Sequence, residues 1–128
     1  MDKMNKKNVA IYLRVCCPSS NSVFSAEILR EKYKRMISEH PSWYYMGTYE
    51  DHGTSSTALE SMIQECQSKS IDLVITKNIS RISRNITEAM NTIKILEKYG
   101  VGIYFLDEHI CTTDKDFKEY HAFLNNLV

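Results

Sequence analysis

Apolar runs of strand length alternate with segments of helical period along all 128 residues, and only four Gly and two Pro interrupt them. This alternation predicts an α/β domain, with a mainly parallel central sheet of four to five strands flanked by helices. Length and composition set its extent. A chain of this size, 43% hydrophobic and 25% charged, supports one globular domain with a real core, and no repeat or linker divides it.

Residues 9–15 (VAIYLRV) are a β-rich run ended by Pro18 and a Ser/Asn cluster. From Phe24 to about His40 the period becomes helical. Ile28, Leu29, Tyr33, Met36 and Ile37 share a face, Ser25 is placed as N-cap, and Pro41 lies beyond the end. Residues 43–49 (WYYMGTY) read as the second strand, closed by Asp51-His52-Gly53. A helix over about 58–69 follows, with Thr57 and Glu60 at capping-box spacing and Leu59, Met62, Ile63 and Cys66 as its inner stripe.

Residues 72–76 (DLVIT) form a short strand of the buried type. The next helix opens near Asn85 with Glu88 three residues on, buries Ile86, Met90, Ile93 and Leu96, and stops at Gly100. Residues 101–106 (VGIYFL) are the last strand. Thr113 and Asp116 then have capping-box spacing for a helix carrying Phe117, Tyr120, His121 and Leu124. Its apolar residues continue to Val128, which predicts packing on a partner or membership of a longer protein.

Sixteen Lys and Arg balance sixteen Asp and Glu. A wholly basic nucleic-acid coat and a polyacidic tail are excluded, whereas a local basic patch is not. Residues 1–7, with Lys3, Lys6 and Lys7, are expected to be a flexible basic tail. No run reaches membrane-spanning length, and the N-terminus lacks the apolar core of a signal peptide. These features predict a cytoplasmic protein whose cysteines, Cys16, Cys17, Cys66 and Cys111, are thiols. His52 and the His109-Ile110-Cys111 run lack zinc-site spacing, so no metal is expected.

In open parallel sheets, ligands bind beyond the carboxyl ends of the strands. Residues 14–17, 51–55 and 76–84 are the loops selected by that rule. The stretch 73–87 (LVITKNISRISRNIT) contains Lys77, Arg81 and Arg84 and no acid. Arg81 and Arg84, three apart, face one way on a helical turn, and Arg14 can join them from the neighbouring strand. Convergent guanidinium forks suit phosphate oxygens, whereas an isolated RxxR reads as a solvated turn. Tyr12, Arg14 and Cys16 alternate onto one side of the first strand. Cys16 has two readings: a thiol whose pKa nearby arginines lower, or a small apolar residue finishing a buried strand.

The motifs Tyr12-x-Arg14-Val15, Asp51-x-Gly53, Asp72-Leu-Val-Ile-Thr-Lys77 and Ser80-Arg81-x-Ser83-Arg84-Asn85 resemble, in order and spacing, the N-terminal catalytic domain of the serine recombinases. These are the resolvases, invertases and large serine integrases of mobile elements. The resemblance spans roughly residues 8–114. It implies a resolvase-like fold and site-specific DNA recombination without a cofactor. In that chemistry a serine attacks the DNA backbone, a 5′-phosphoserine forms, and strands rejoin after subunit rotation. Carried over by position, Arg14, Arg81 and Arg84 would hold the scissile phosphate, with Lys77 as a further phosphate contact. Tyr12, Asp51 and Ser80 would support them. The helix from about residue 114 to 128 would begin a dimer and linker helix, and no DNA-binding domain follows it.

Three positions depart from the family pattern. The nucleophile position holds Cys16, a glutamine of the following helix is replaced by Leu29, and the Thr54-Ser55-Ser56-Thr57-Ala58 loop lacks an arginine. Sulfur is poorly matched to a phosphodiester, and one lost oxyanion donor elsewhere costs roughly 2.7–4 kcal/mol. The active site is therefore degenerate, and little or no recombination is expected. Two functions compete: a recombinase catalytic domain using Cys16, and an inactive relative that dimerises with an active recombinase or occupies DNA. An unrelated flavodoxin-like module for a small phosphate ligand ranks last, because no GxGxxG or P-loop is present.

Overall fold

The structure, a computed structural model, describes residues 6–15, 20–68, 70–114 and 117, with backbone alone over 20–25. Its elements are β1 (Lys7–Val15), α1 (Ser20–Glu39), β2 (Trp43–His52), α2 (Thr57–Gln67), β3 (Leu73–Thr76), a 3-10 turn (Ile79–Arg81), α3 (Ile86–Lys98), β4 (Gly102–Phe105) and β5 (Ile110–Cys111). They form the expected α/β architecture. The sheet has five strands in the order β2-β1-β3-β4-β5, and only the short β5 runs antiparallel.

The central strand β1 supplies both layers of the core. Val9, Ile11 and Leu13 point to α1 and pack with Tyr33 and Ile37. Ala10 and Tyr12 point the other way, into a core shared with Leu59, Met62 and Cys66 of α2 and Met90, Ile93 and Leu96 of α3. This two-sided burial is why the strand reads as a nearly continuous apolar run. β1 begins at Lys7, so the chain is paired two residues before the expected strand, and the Lys6 ammonium lies 4.6 Å from the centre of the Tyr44 ring.

Helix α1 starts at Ser20, not near Phe24, which moves its boundary ahead of the expected Ser25 cap. Its inward stripe is Leu29, Tyr33, Met36 and Ile37. Ile28 stands one residue off that stripe, turned about 100° around the axis, and is 52% exposed rather than buried. Helix α3 matches its local signals at both ends. Asn85 Oδ1 accepts the Glu88 amide at 3.1 Å. At the other end Gly100, at φ +79°, lets its own amide reach Glu97 O and the Val101 amide reach Leu96 O.

Hydroxyls finish the sheet where the strands end. Thr76 Oγ1 donates to the Tyr12 carbonyl at 2.9 Å, tying β3 to β1 beside the strand ends. Thr112 Oγ1 accepts the Ile103 amide at 2.9 Å. Phe117 is buried in the α2/α3 layer. The other residues of the expected final helix, including Asp116 of its capping box, lie outside the described residues, as does the dimer contact assigned to it.

Core burial predicts alkaline sensitivity. Burial pushes the Cys66 thiol up to about 11, and it raises Tyr12, Tyr33 and Tyr49 above the ordinary tyrosine value. Above pH about 9 the unfolded thiol releases a proton that the folded one keeps, and the tyrosines follow above about 10. The folded state then binds more protons than the unfolded, so stability falls as pH rises. The expected slope is about 1.4 kcal/mol per pH unit for each fully affected group. Urea midpoints at pH 7.5, 9 and 10.5 check this, and Cys66→Ala should flatten the first part of the decline. A midpoint that stays level to pH 10.5 would contradict it.

Candidate functional site

The parallel strands β1, β2 and β3 end at one edge of the sheet, and Arg14, Asp51 and Thr76 stand there. Arg14 and Asp51 are register partners across β1 and β2. Asp51 is 3% exposed and has three donors around it. Its Oδ2 accepts the Tyr12 hydroxyl at 2.7 Å and the Leu59 amide at 3.0 Å, and its Oδ1 accepts the Ala58 amide at 2.8 Å. The carboxylate thus caps α2 from the adjacent strand, where the dipole and the free amides of a helix start favour negative charge. The expected Thr57–Glu60 capping box is not made; Ser56 occupies the N-cap position, and its side chain makes no capping bond to the helix amides.

The Tyr12 hydroxyl also accepts from Arg14 Nη2 at 2.8 Å, so a hydrogen-bond chain runs from guanidinium to phenol to carboxylate. Burial is the main cause of the raised Tyr12 pKa, and the bond to Asp51 adds to it; the nearby Arg14 charge opposes both. The phenol stays protonated and serves as a fixed linker.

Arg14 uses every donor it has. Nε bonds to the Arg81 carbonyl at 3.1 Å, Nη1 to the carbonyls of Gly53 (3.0 Å) and Ser55 (2.6 Å), and Nη2 to Tyr12 Oη and Ser56 Oγ (3.4 Å). Arg81 Nη1 returns a bond to the Arg14 carbonyl at 3.4 Å. One guanidinium therefore clasps the β2–α2 loop and the 3-10 turn to the end of β1. Gly53 makes the loop possible: at φ +62° it turns its amide to the Val15 carbonyl, 2.7 Å away.

Beside this clasp a cleft of about 630 Å³ opens between the β2–α2 loop and the turn leading into α3. Arg14, Arg81 and Arg84 line it, with Ser56, Ser80 and Glu88. Arg84 is exposed, and Arg81 is half-buried. The Ser80 hydroxyl and amide both bond to Asn78 Oδ1, at 2.5 and 3.1 Å, which fixes the turn. Three cationic side chains and the Ser80 hydroxyl thus line one cleft, residue types whose chemistry suits an anion.

Of the residues assigned from sequence, Tyr12, Arg14, Asp51, Ser80, Arg81 and Arg84 are brought together. Lys77 is not among the cleft residues. Its ammonium bonds both Asp107 carboxylate oxygens at 3.1 Å, and Asn78 Nδ2 joins them at 2.9 Å. Those bonds, Asn78 first and Lys77 second, hold Asp107 below its ordinary pKa. Cys16 lies outside the described residues. Leu29, at the position where glutamine is expected, packs with the α1 layer. Among the described residues no three His, Cys, Asp or Glu side chains cluster as metal ligands do. No described helix is long and apolar enough to cross a membrane.

Three features escape a reading of the sequence. The carbonyls that hold Arg14 are main-chain atoms with no signature. Ser56 is one serine in a run of similar residues. Glu88 is the residue directly after the acid-free stretch 73–87, and its helix-cap spacing accounts for it until the cleft is seen.

Known proteins share this fold. The chain is similar to a resolvase family site-specific recombinase from Streptococcus pneumoniae, at TM-score 0.79 and 23% identity over 95% of this chain and 85% of that one. It is similar to the N-terminal catalytic domain of TP901-1 integrase, at TM-score 0.72 and 23% identity over 94% and 93%. The C-terminal catalytic domain of an IS607-like serine recombinase aligns at TM-score 0.67 and 16% identity, covering 77% and 68%. At these identities the likeness establishes the fold. No curated protein matches the chain. The family pattern described as "Resolvase, N terminal domain" matches residues 9–126, which takes in all five strands except the first two residues of β1, and the whole arginine cleft. The chain belongs to the resolvase N-terminal domain family.

Proposed function

We propose that this chain is the catalytic-domain portion of a site-specific DNA recombinase that holds a DNA phosphodiester in the cleft between Arg14, Arg81 and Arg84, with Cys16 at the nucleophile position. The observation that carries this reading is the convergence of those three arginines on one cleft. Positive charge fixed around a phosphoryl group stabilises the charge that builds on its oxygens in the transition state. In the forward step the Cys16 thiolate attacks phosphorus, the P–S bond forms, the P–O3′ bond breaks, and the released 3′ oxygen takes a proton. Rejoining reverses each change. No cofactor enters. The protein works in the cytoplasm as a dimer through the helix that begins near residue 114.

A second reading is favoured by Arg14. All five of its N–H groups are committed to protein acceptors, so a phosphate must displace some of them before Arg14 can serve it. Together with Cys16 and Leu29, this points to a catalytically silent relative that pairs with an active recombinase subunit.

A trapping assay separates the two. The chain and its Cys16→Ser variant are each fused to a sequence-specific DNA-binding domain and incubated with a nicked suicide substrate, and covalent adducts are resolved on a denaturing gel. An adduct from the unaltered chain establishes thiol chemistry. An adduct from Cys16→Ser alone shows that the rest of the site is competent and that the natural chain is silenced at one atom. Absence of adduct from both excludes catalysis and leaves the subunit-pairing reading.

A further inference from the structure

Glu88 is the one carboxylate among the described residues that line the arginine cleft. It forms no ion pair of 4 Å or less with a described arginine. Instead its Oε2 accepts the Ser83 hydroxyl at 3.0 Å, and Ser83 Oγ in turn accepts the Asn85 amide at 3.1 Å. The backbone of Glu88 is also fixed, by the Asn85 cap of α3. A negative charge is thus held in place in a cleft whose other charges are positive. As a counter-ion it would gain most by closing on a guanidinium, and the Ser83 bond holds it elsewhere.

We propose that Glu88 is a specificity-determining residue: held by Ser83 beside Arg14, Arg81 and Arg84, its carboxylate admits the singly charged phosphodiester of continuous DNA and disfavours doubly charged phosphate. This deepens the reading of the cleft as a phosphodiester site and rests on it. The physical basis is charge count. A diester in the DNA backbone carries one negative charge, whereas a terminal phosphomonoester or free phosphate carries nearly two above pH 7, since its second pKa is about 6. Three arginines alone would favour the dianion. A fixed carboxylate repels the second charge as it repels the first, and so shifts the preference toward the monoanion. For unit charges several ångströms apart in a partly solvated cleft, one extra charge against one carboxylate changes affinity roughly two- to sixfold. Such a filter would tilt occupancy by that factor away from phosphomonoester ends and nucleotides.

The test uses the full chain and two probes, inorganic phosphate and dimethyl phosphate, titrated at pH 8 while the backbone amides of residues 80–85 are followed by NMR. The quantity read is the ratio of the two affinities. Glu88→Gln keeps the acceptor for Ser83 and removes the charge. It is expected to raise the phosphate-to-dimethyl-phosphate ratio two- to sixfold, while Glu88→Asp keeps the ratio near that of the natural chain. If both probes bind and the ratio is the same with Gln at this position, Glu88 does not select, and the cleft reading stands without it. If neither probe moves residues 80–85 in any form, the cleft is not an anion site, and both readings fall.

Discussion

Replacing Asp51 with alanine is expected to cost about 3–4 kcal/mol of stability, the largest loss from any single site residue. The carboxylate is buried and receives the Tyr12 hydroxyl and two amides of the first turn of α2. Loss of a helix cap alone costs about 1 kcal/mol. Here the substitution also strands a buried phenol and removes the negative end of the Arg14–Tyr12–Asp51 chain, and each buried donor left without a partner costs roughly 1–3 kcal/mol. Asp51→Asn keeps the shape with one acceptor oxygen. Its NH2 group must then face either the Ala58 amide or the Leu59 amide together with the Tyr12 hydroxyl, so about half the loss is expected. Urea unfolding of the three proteins at unchanged slope measures it. A loss under 1 kcal/mol for the alanine variant would mean that water takes over the cap, and that Asp51 does not hold α2 to the strand ends.

The contrast between Asp51 and Thr57 shows which parts of this molecule are legible locally. Helix α3 is fully readable because both ends are signalled by neighbours in sequence: Asn85 with Glu88, and Gly100 after Tyr99. The inner stripes of α2 and α3 follow from helical period, and β1 from its apolar run. Helix α2 is capped by a residue on the preceding strand, so its local capping-box spacing at Thr57 and Glu60 is present but unused. The start of α1 fails for another reason. Residues 20–23 read Ser-Asn-Ser-Val, weak helix formers, yet the helix includes them and passes the expected cap at Ser25. Lys77 has the right sign in the right loop, but Asp107, thirty residues away and beyond β4, claims its ammonium. The gathering of Arg14, Arg81 and Arg84 was legible because strand order and the strand-end rule place three loops together. The acceptors that fix Arg14 were not, since carbonyls have no residue identity.

Those carbonyls make Arg14 behave unlike its neighbour Arg84, and paired substitutions expose the difference. Arg84 is exposed and no described bond depends on it. Arg84→Ala should leave stability within about 0.5 kcal/mol, lower DNA affinity, and reduce the salt slope by about one ion. Arg14→Ala releases Gly53, Ser55, Ser56, Tyr12 and Arg81 together. Its expected cost is about 2–3 kcal/mol, less than the sum of five charged hydrogen bonds because water reaches several of the freed acceptors. Amide exchange over residues 53–56 should quicken in the same variant. Arg14→Lys tests whether charge or geometry matters, since an ammonium cannot span acceptors on three segments; it should recover less than half of the loss. If Arg14→Ala instead reproduces the Arg84→Ala pattern, with stability intact and only DNA binding reduced, the clasp contributes nothing to the fold. If the clasp holds, every phosphate that recruits Arg14 must displace some of its bonds to the β2–α2 loop, Tyr12 or Arg81. On the proposed recombinase reading, DNA engagement is then linked to loosening of that clasp, and the free energy of the five internal bonds sets how tightly DNA must bind before Arg14 turns toward it.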